Sequence, residues 1–322
     1  MKGYKGFNPG LICKDKQYQE NTVFEEPEAK ICEKGMHFCE NPFDVLDYYD
    51  LIRSDGTPNE FAEVEALDEP KTDDKKKFCS RKLKIGVKLG LSGFIKACVN
   101  FVLEKTIAEM PSENVDSGDC ARIGSSGDYA QIGSSGDYAR IGSSGYSARI
   151  GSSGYSAQIG SSGYSARIGS SGDYARIGSS GNSAKIGSSG DCAQIGSSGD
   201  SAQIGSSGHY AQIGSSGDYA QIGSSGDYAR IGSSGDSAKI GSSGRSTQIN
   251  CTGSDSVICC AGNGSVVKAP IGCWITLAEW EYDGAKQRYV PVCVKTEYVD
   301  GEKIKADTPY MLENGEFVEV KP

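Results

Sequence analysis

Four residues near the start of the chain carry the side chains of a metal site: Cys13, Cys32, His37 and Cys39. Three thiols and an imidazole suit tetrahedral zinc. Their spacing does not. Four residues intervene between Cys32 and His37 and one between His37 and Cys39, and Cys13 stands far upstream. The set therefore reads as buried thiols and a hydrogen-bonded histidine. Tyr4, His37 and Tyr49 form a second set, the candidates for lining a small-ligand pocket. Catalytic constellations are otherwise missing. There are two histidines, one of them inside a repeat, no glycine-rich phosphate loop ahead of a helix and no Ser/His/Asp arrangement. No catalytic residue, cofactor site or metal ligand is assigned, and a non-enzymatic role is expected.

A third set recurs at a fixed interval. From Asp119 to Gly244 run fourteen nine-residue units, x-x-Ala-x-Ile-Gly-Ser-Ser-Gly, in which only the first, second and fourth positions vary. A fixed period marks a stacked array. Ala and Ile, two apart, face one side of a strand, so the second and fourth positions face solvent. Gly-Ser-Ser-Gly is expected to make the turn, since glycine tolerates positive φ. Two units per coil are preferred over three because the inward side chains are small and few. Seven such coils would extend ~33 Å.

Two units per coil sort the variable residues onto two faces. Odd units bring Tyr138, Tyr174, Tyr210 and Tyr228 together with Arg140, Arg176 and Arg230. Tyrosine and arginine anchor protein interfaces, so these seven residues are the candidates for partner binding. A solvated ladder of stacked side chains is the plainer reading of the same rows. Calcium does not fit the array. The calcium-binding nonapeptide wants Asp two places after Gly, whereas here Asp follows Gly immediately and five of the fourteen units lack it. Ice binding would want ranks of exposed Thr, which the units do not contain.

The remaining elements must carry and close this array. Residues 1–70 read as an α+β domain, with Asn41 capping a helix that Pro42 opens. Residues 71–110 read as a linker strand and a helix from Ser92 to Met110, expected to cap the open end of the solenoid. Residues 111–271 are the array with its degenerate ends; Val115-Asp116-Ser117-Gly118 already ends like a unit. Residues 272–322, with turn signals at Asp283-Gly284, Asp300-Gly301 and Asn314-Gly315, are a small antiparallel β domain. The expected class is mainly β: a parallel β-solenoid with an α+β N-terminal domain, a capping helix and a β tail.

Composition narrows the partners. Net charge is −9, yet the fourteen units hold nine Asp against six Arg and two Lys, so the excess acid lies in the flanks. That is not a nucleic-acid-binding balance. No apolar run reaches membrane-span length. Twelve scattered Cys without a leader sequence point to a reducing cytoplasmic setting, with exposure on a virion as the alternative. Nothing fixes the oligomeric state, and a homodimer is one expectation.

Two resemblances add to this. Gly35-Met36-His37-Phe38, a helix ending in Tyr49, and the acidic strand Phe61-Ala62-Glu63-Val64-Glu65 resemble the layout of an ADP-ribosyltransferase half-fold, with Tyr4-Lys5-Gly6 at the nicotinamide-ribose contact. The His-Gly-Thr motif and a catalytic Glu are absent, so the resemblance implies a non-catalytic relative or a degenerate ligand-binding domain. Separately, Tyr4-Lys5-Gly6-Phe7, Cys32-Glu33-Lys34-Gly35-Met36-His37-Phe38-Cys39 and Trp274-Ile275-Thr276-Leu277-Ala278-Glu279-Trp280 resemble uncharacterised proteins of phages and gut Firmicutes that share the same three-part plan. That resemblance implies a mobile-element context and the solenoid, and it assigns no activity. In a phage setting the expected partner is a host or phage protein, such as a host defence or regulatory protein, and a structural virion component is the alternative.

Overall fold

The computed structural model describes residues 1–31, 33–107, 115–116 and 118–320. Cys32, Met110 and Ser117 lie outside the described residues. The array forms a flattened two-sheet parallel solenoid of about nine turns. Each strand pairs in parallel with the strand eighteen residues on: Arg140 with Gln158, Ile141 with Ile159, Gly142 with Gly160. Odd units build one sheet and even units the other, so two units make a coil, the arrangement that the small inward side chains favour. The Ala and Ile columns are buried between the sheets and form one continuous core.

The strand and the turn divide the unit differently from the expectation. The strand is x-Ile-Gly-Ser, as in Arg176–Ser179, so the glycine thought to turn the chain lies in the sheet. The turn runs through the last Gly and the first two residues of the next unit. Positive φ falls on the second position, +57° at both Tyr174 and Ser183, and not on the glycines of the repeat. The last Gly is needed for another reason. A Cβ on Gly136 would collide with the carbonyl oxygen of Gly118 in the coil before it.

Side chains at the first position tie coils together. Asp191 Oδ1 accepts the backbone N–H of His209 at 2.7 Å, and His209 Nδ1 accepts that of Asp227 at 3.0 Å. First-position side chains thus hold the next coil's backbone, which explains the place of Asp directly after Gly.

The N-terminal unit is a six-stranded sheet. Its strands are β1 (Lys2–Phe7), β4 (Val23–Glu25), β5 (Met36–Cys39), β6 (Glu60–Ala66), β7 (Lys77–Ser80) and β8 (Lys82–Leu89), with a short hairpin of β2 (Ile12–Cys13) and β3 (Lys16–Gln17) beside it. The order β4-β8-β6-β1-β5-β7 places β7 and β8 inside this sheet. The boundary expected at residue 70 therefore moves: 71–89 belong to the N-terminal unit. Helix α1 (Pro42–Val45) starts as expected, with Asn41 Oδ1 accepting the Phe43 N–H at 3.0 Å.

Helix α2 (Leu91–Ile107) does not cap the solenoid end. It lies along the flank of the odd sheet, from Leu91 at Gly214 to Thr106 at Gly142. The reason is geometric: the sixth-position glycines leave a bare lane along the sheet axis, and a helix laid in it buries a whole face.

The C-terminal part continues the array before it departs. Trp274–Leu277 still pair in parallel with Val257–Cys260. The same strand then folds back antiparallel, Trp274 facing Tyr298 and Asp283 facing Arg288. The odd sheet ends on the antiparallel pair Tyr310–Glu313 and Glu316–Glu319. The turns fall at the three predicted Gly pairs.

Candidate functional site

Two regions hold chemistry: the outer faces of the solenoid and a cavity in the N-terminal sheet. On the outer faces each coil presents its fourth-position side chain, then the bare sixth-position glycine. The two sheets share this pattern and differ in what covers it.

On the odd sheet the glycine lane is filled. Leu91 lies over Gly214, Ile95 over Gly196, Val99 over Gly160 and Gly178, and Val102 and Thr106 over Gly142. A helix returns a side chain to the same face about every 5.4 Å and the coils repeat about every 4.8 Å, so roughly one knob meets one glycine hole per turn. Polar groups flank the lane. Arg176 pairs with Asp47 and lies 3.8 Å from Asp44, Gln158 Nε2 donates to Asp44 at 3.3 Å, and Arg230 donates to Asp50 at 2.8 Å. Gln212 Oε1 accepts the Ile52 N–H at 3.2 Å. Burial raises the Asp44 carboxyl above its usual value, and Arg176 beside it works the other way.

The seven interface candidates thus divide. Arg176 and Arg230 face the chain's own N-terminal unit, and Arg140 lies near enough to Asp44 to act on it electrostatically. Tyr138, Tyr174, Tyr210 and Tyr228 stand at the corner and remain exposed. They join a ladder with residues the sequence reading passed over: Tyr138 meets Tyr155, Tyr155 meets Tyr174, and Tyr210 stacks on Tyr228 at 5.0 Å. First-position tyrosines supply the missing rungs. Their substitution for Asp at three successive units was the available signal.

On the even sheet the lane is open. A Cβ on Gly133, Gly151, Gly169, Gly187, Gly205, Gly223 or Gly241 would meet nothing within 4 Å. Its fourth-position row reads Gln131, Arg149, Arg167, Lys185, Gln203, Gln221 and Lys239. Among the described residues no ion pair involves Arg149, Arg167 or Lys185. A cationic strip therefore borders a vacant glycine lane on a chain whose net charge is −9.

The cavity, of about 870 Å³, is lined by Tyr4, His37 and Tyr49, along with Lys5, Cys13 and Tyr18. Lys5 is the group to which the sequence assigned no separate role. Only 5% exposed, its Nζ donates to the His37 carbonyl at 2.9 Å and to Cys13 Sγ at 3.4 Å. Burial pushes its amine below the ordinary lysine value, and the neighbouring Cys13 works in the opposite direction. Tyr49 Oη donates to the same sulfur at 3.0 Å. Burial and that bond keep the Tyr49 phenol well above its usual value, so it keeps its proton. His37 is pushed down to about 4, by burial first and then by Lys5, Lys77 and Lys14. Cys39 is buried, and burial drives its thiol up to about 12. Of the four candidate zinc ligands, Cys13 is bound up with Lys5 and Tyr49, and Cys32 lies outside the described residues. Among the described residues no group of three or more His, Cys, Asp or Glu is placed to hold a metal ion.

Fold and site together define a two-faced β-solenoid with an α+β unit docked on one flank. A family model described as "Domain of unknown function (DUF7666)" matches residues 1–97. That match ends inside α2 and covers the sheet, the cavity and the acidic residues that meet the odd face. No curated protein matches the chain, and no solved structure does. No helix among the described residues is long and apolar enough to cross a membrane.

Proposed function

We propose that the chain is a non-enzymatic interaction protein whose even solenoid face receives a helix from a protein partner. One observation carries this reading: the same glycine lane exists on both sheets, and on the odd sheet a helix fills it. The odd face supplies the template for the missing occupant. Aliphatic side chains one helical turn apart sit on the glycines, and carboxylates reach the fourth-position cations.

An occupant of the even lane would need the same features, and acidic flanks above all, because Arg149, Arg167 and Lys185 follow one another there. A second copy of the chain fits poorly through this face. It would set cation against cation, and two glycine floors offer no knobs to interdigitate. Following the resemblance to phage proteins, the partner is a host protein and the setting the host cytoplasm.

A peptide of the α2 sequence with Lys96→Glu and Lys105→Glu tests this, read by fluorescence anisotropy against the full chain. Saturable binding is expected, weakened about tenfold or more by the Arg149→Glu/Arg167→Glu/Lys185→Glu variant, as removing desolvated charge pairs commonly does. Absence of binding, or binding that ignores the charge reversal, would overturn the reading.

A further inference from the structure

The cavity of the N-terminal sheet holds an arrangement that neither the solenoid nor its partner requires. Lys5 projects from β1 and is almost wholly buried. A buried ammonium ordinarily has a carboxylate beside it, because an unpaired charge is costly to desolvate. Among the described residues Lys5 has no such ion pair. Its neighbours are a thiol, a backbone carbonyl and two aromatic faces, with Nζ 5.5 Å from the Phe7 ring centre and 5.6 Å from that of Tyr18.

The thiol is the informative neighbour. Cys13 Sγ receives two donors, Lys5 Nζ at 3.4 Å and Tyr49 Oη at 3.0 Å. A thiolate welcomes two donors more than a thiol does, since negative charge on sulfur strengthens both bonds. The position of Tyr49 is fixed by close packing of its ring on β1: a Cβ on Gly6 would lie 2.6 Å from Tyr49 Cγ. The phenol is thereby held on the sulfur, and both groups line the cavity.

We propose that Cys13 is a nucleophilic thiol, that Lys5 is the base that takes its proton, and that the cavity admits small molecules with an electrophilic carbon. The proton moves from Sγ to Lys5 Nζ, giving a thiolate–ammonium pair that replaces the absent carboxylate. Tyr49 steadies the sulfur by donation and keeps its own proton. Attack forms a sulfur–carbon bond while the bond from carbon to the leaving group breaks. The leaving group departs with that electron pair, and the sulfur's proton stays on Lys5. This site is independent of the even-face reading.

Iodoacetamide is the probe, used on the full native chain at pH 7, with each cysteine followed by peptide mass spectrometry. Cys120 and Cys259 are exposed thiols of the same chain and serve as internal references. Cys13 is expected to alkylate about tenfold faster than either, as thiols beside a cation do. Lys5→Met should bring Cys13 down to the reference rate while leaving Cys120 and Cys259 unchanged. Lys5→Arg, which keeps the charge and cannot take the proton, should slow it as well. If Lys5 variants fail to fold, Tyr49→Phe decides, with a several-fold slowing confined to Cys13. A Cys13 rate no greater than that of Cys120, or one that neither Lys5 nor Tyr49 substitution alters, would overturn the proposal.

Discussion

Ile95 stands directly over Gly196: a Cβ on the glycine would lie 2.7 Å from Ile95 Cγ1 and 2.9 Å from its Cδ1. The two residues are 101 positions apart in the chain, and their fit shows how the N-terminal unit is held. Gly205, in the same register position one unit later, meets nothing within 4 Å. One repeat motif thus serves as a socket on one sheet and as an open lane on the other.

Gly196→Ala should cost about 1–3 kcal/mol, the usual penalty for overpacking a filled site. Gly205→Ala should stay within about 0.5 kcal/mol, as surface substitutions do. Urea unfolding of the two variants separates these outcomes. Limited proteolysis should also cut the Gly196 variant faster between the N-terminal unit and the array. Equal effects from the two substitutions would show that α2 does not depend on the glycine lane.

Removing Arg176 leaves Asp44 and Asp47 without their shared cation. Arg176→Ala is expected to lower stability at pH 7 by about 2 kcal/mol, in the range for hydrogen bonds to charged groups. The penalty should shrink as pH falls. Asp44 already sits above the usual carboxylate value because it is buried, and loss of Arg176 raises it further. A raised folded value makes the group's contribution greatest in acid and diminishes it as pH rises through that value. Urea midpoints at pH 7 and pH 4, for wild type and variant, should therefore converge in acid; a gap that is constant with pH would contradict this.

His37 sets an acid limit on the N-terminal unit. Its folded value is about 4 and its unfolded value 6.5, so the unfolded chain binds the proton first. The stability it contributes is complete above 6.5 and is lost as pH falls toward 4. His37→Gln should flatten the urea midpoint across that window relative to wild type. An unchanged slope would mean that other groups govern the acid limb.

Second-position residues carry backbone strain at every corner. Ser183 holds φ at +57°, a region that costs an L-residue about 1 kcal/mol or more. Ser183→Gly should raise stability by up to about 1 kcal/mol, and Ser183→Val, which is β-branched, should lower it. Tyr228→Gly should gain less, because it gives up the stacked contact with Tyr210. Thermal unfolding of the three variants, ranked against wild type, checks the order.

The nonapeptide by itself determined the coil. Alternation of Ala and Ile fixed which side is buried, the small inward side chains favoured two units per coil, and Gly pairs such as Asn314-Gly315 placed the tail's turns. Asn41 and Pro42 were enough to start α1. The turn within each unit was not legible in the same way. Gly-Ser-Ser-Gly has turn composition, yet its first glycine lies in the strand, and its last is required by the carbonyl of the neighbouring coil, a contact eighteen residues away. Tertiary structure alone decided which face is covered. The odd and even lanes have the same glycines, and the choice rests on Asp44, Asp47 and Asp50 meeting Gln158, Arg176 and Arg230 across more than a hundred residues. The burial of Lys5 was not legible for a related reason. A lone lysine in a strand reads as exposed until the fold buries it against Cys13 and Tyr49, and burial is a property of the packed sheet rather than of the local sequence.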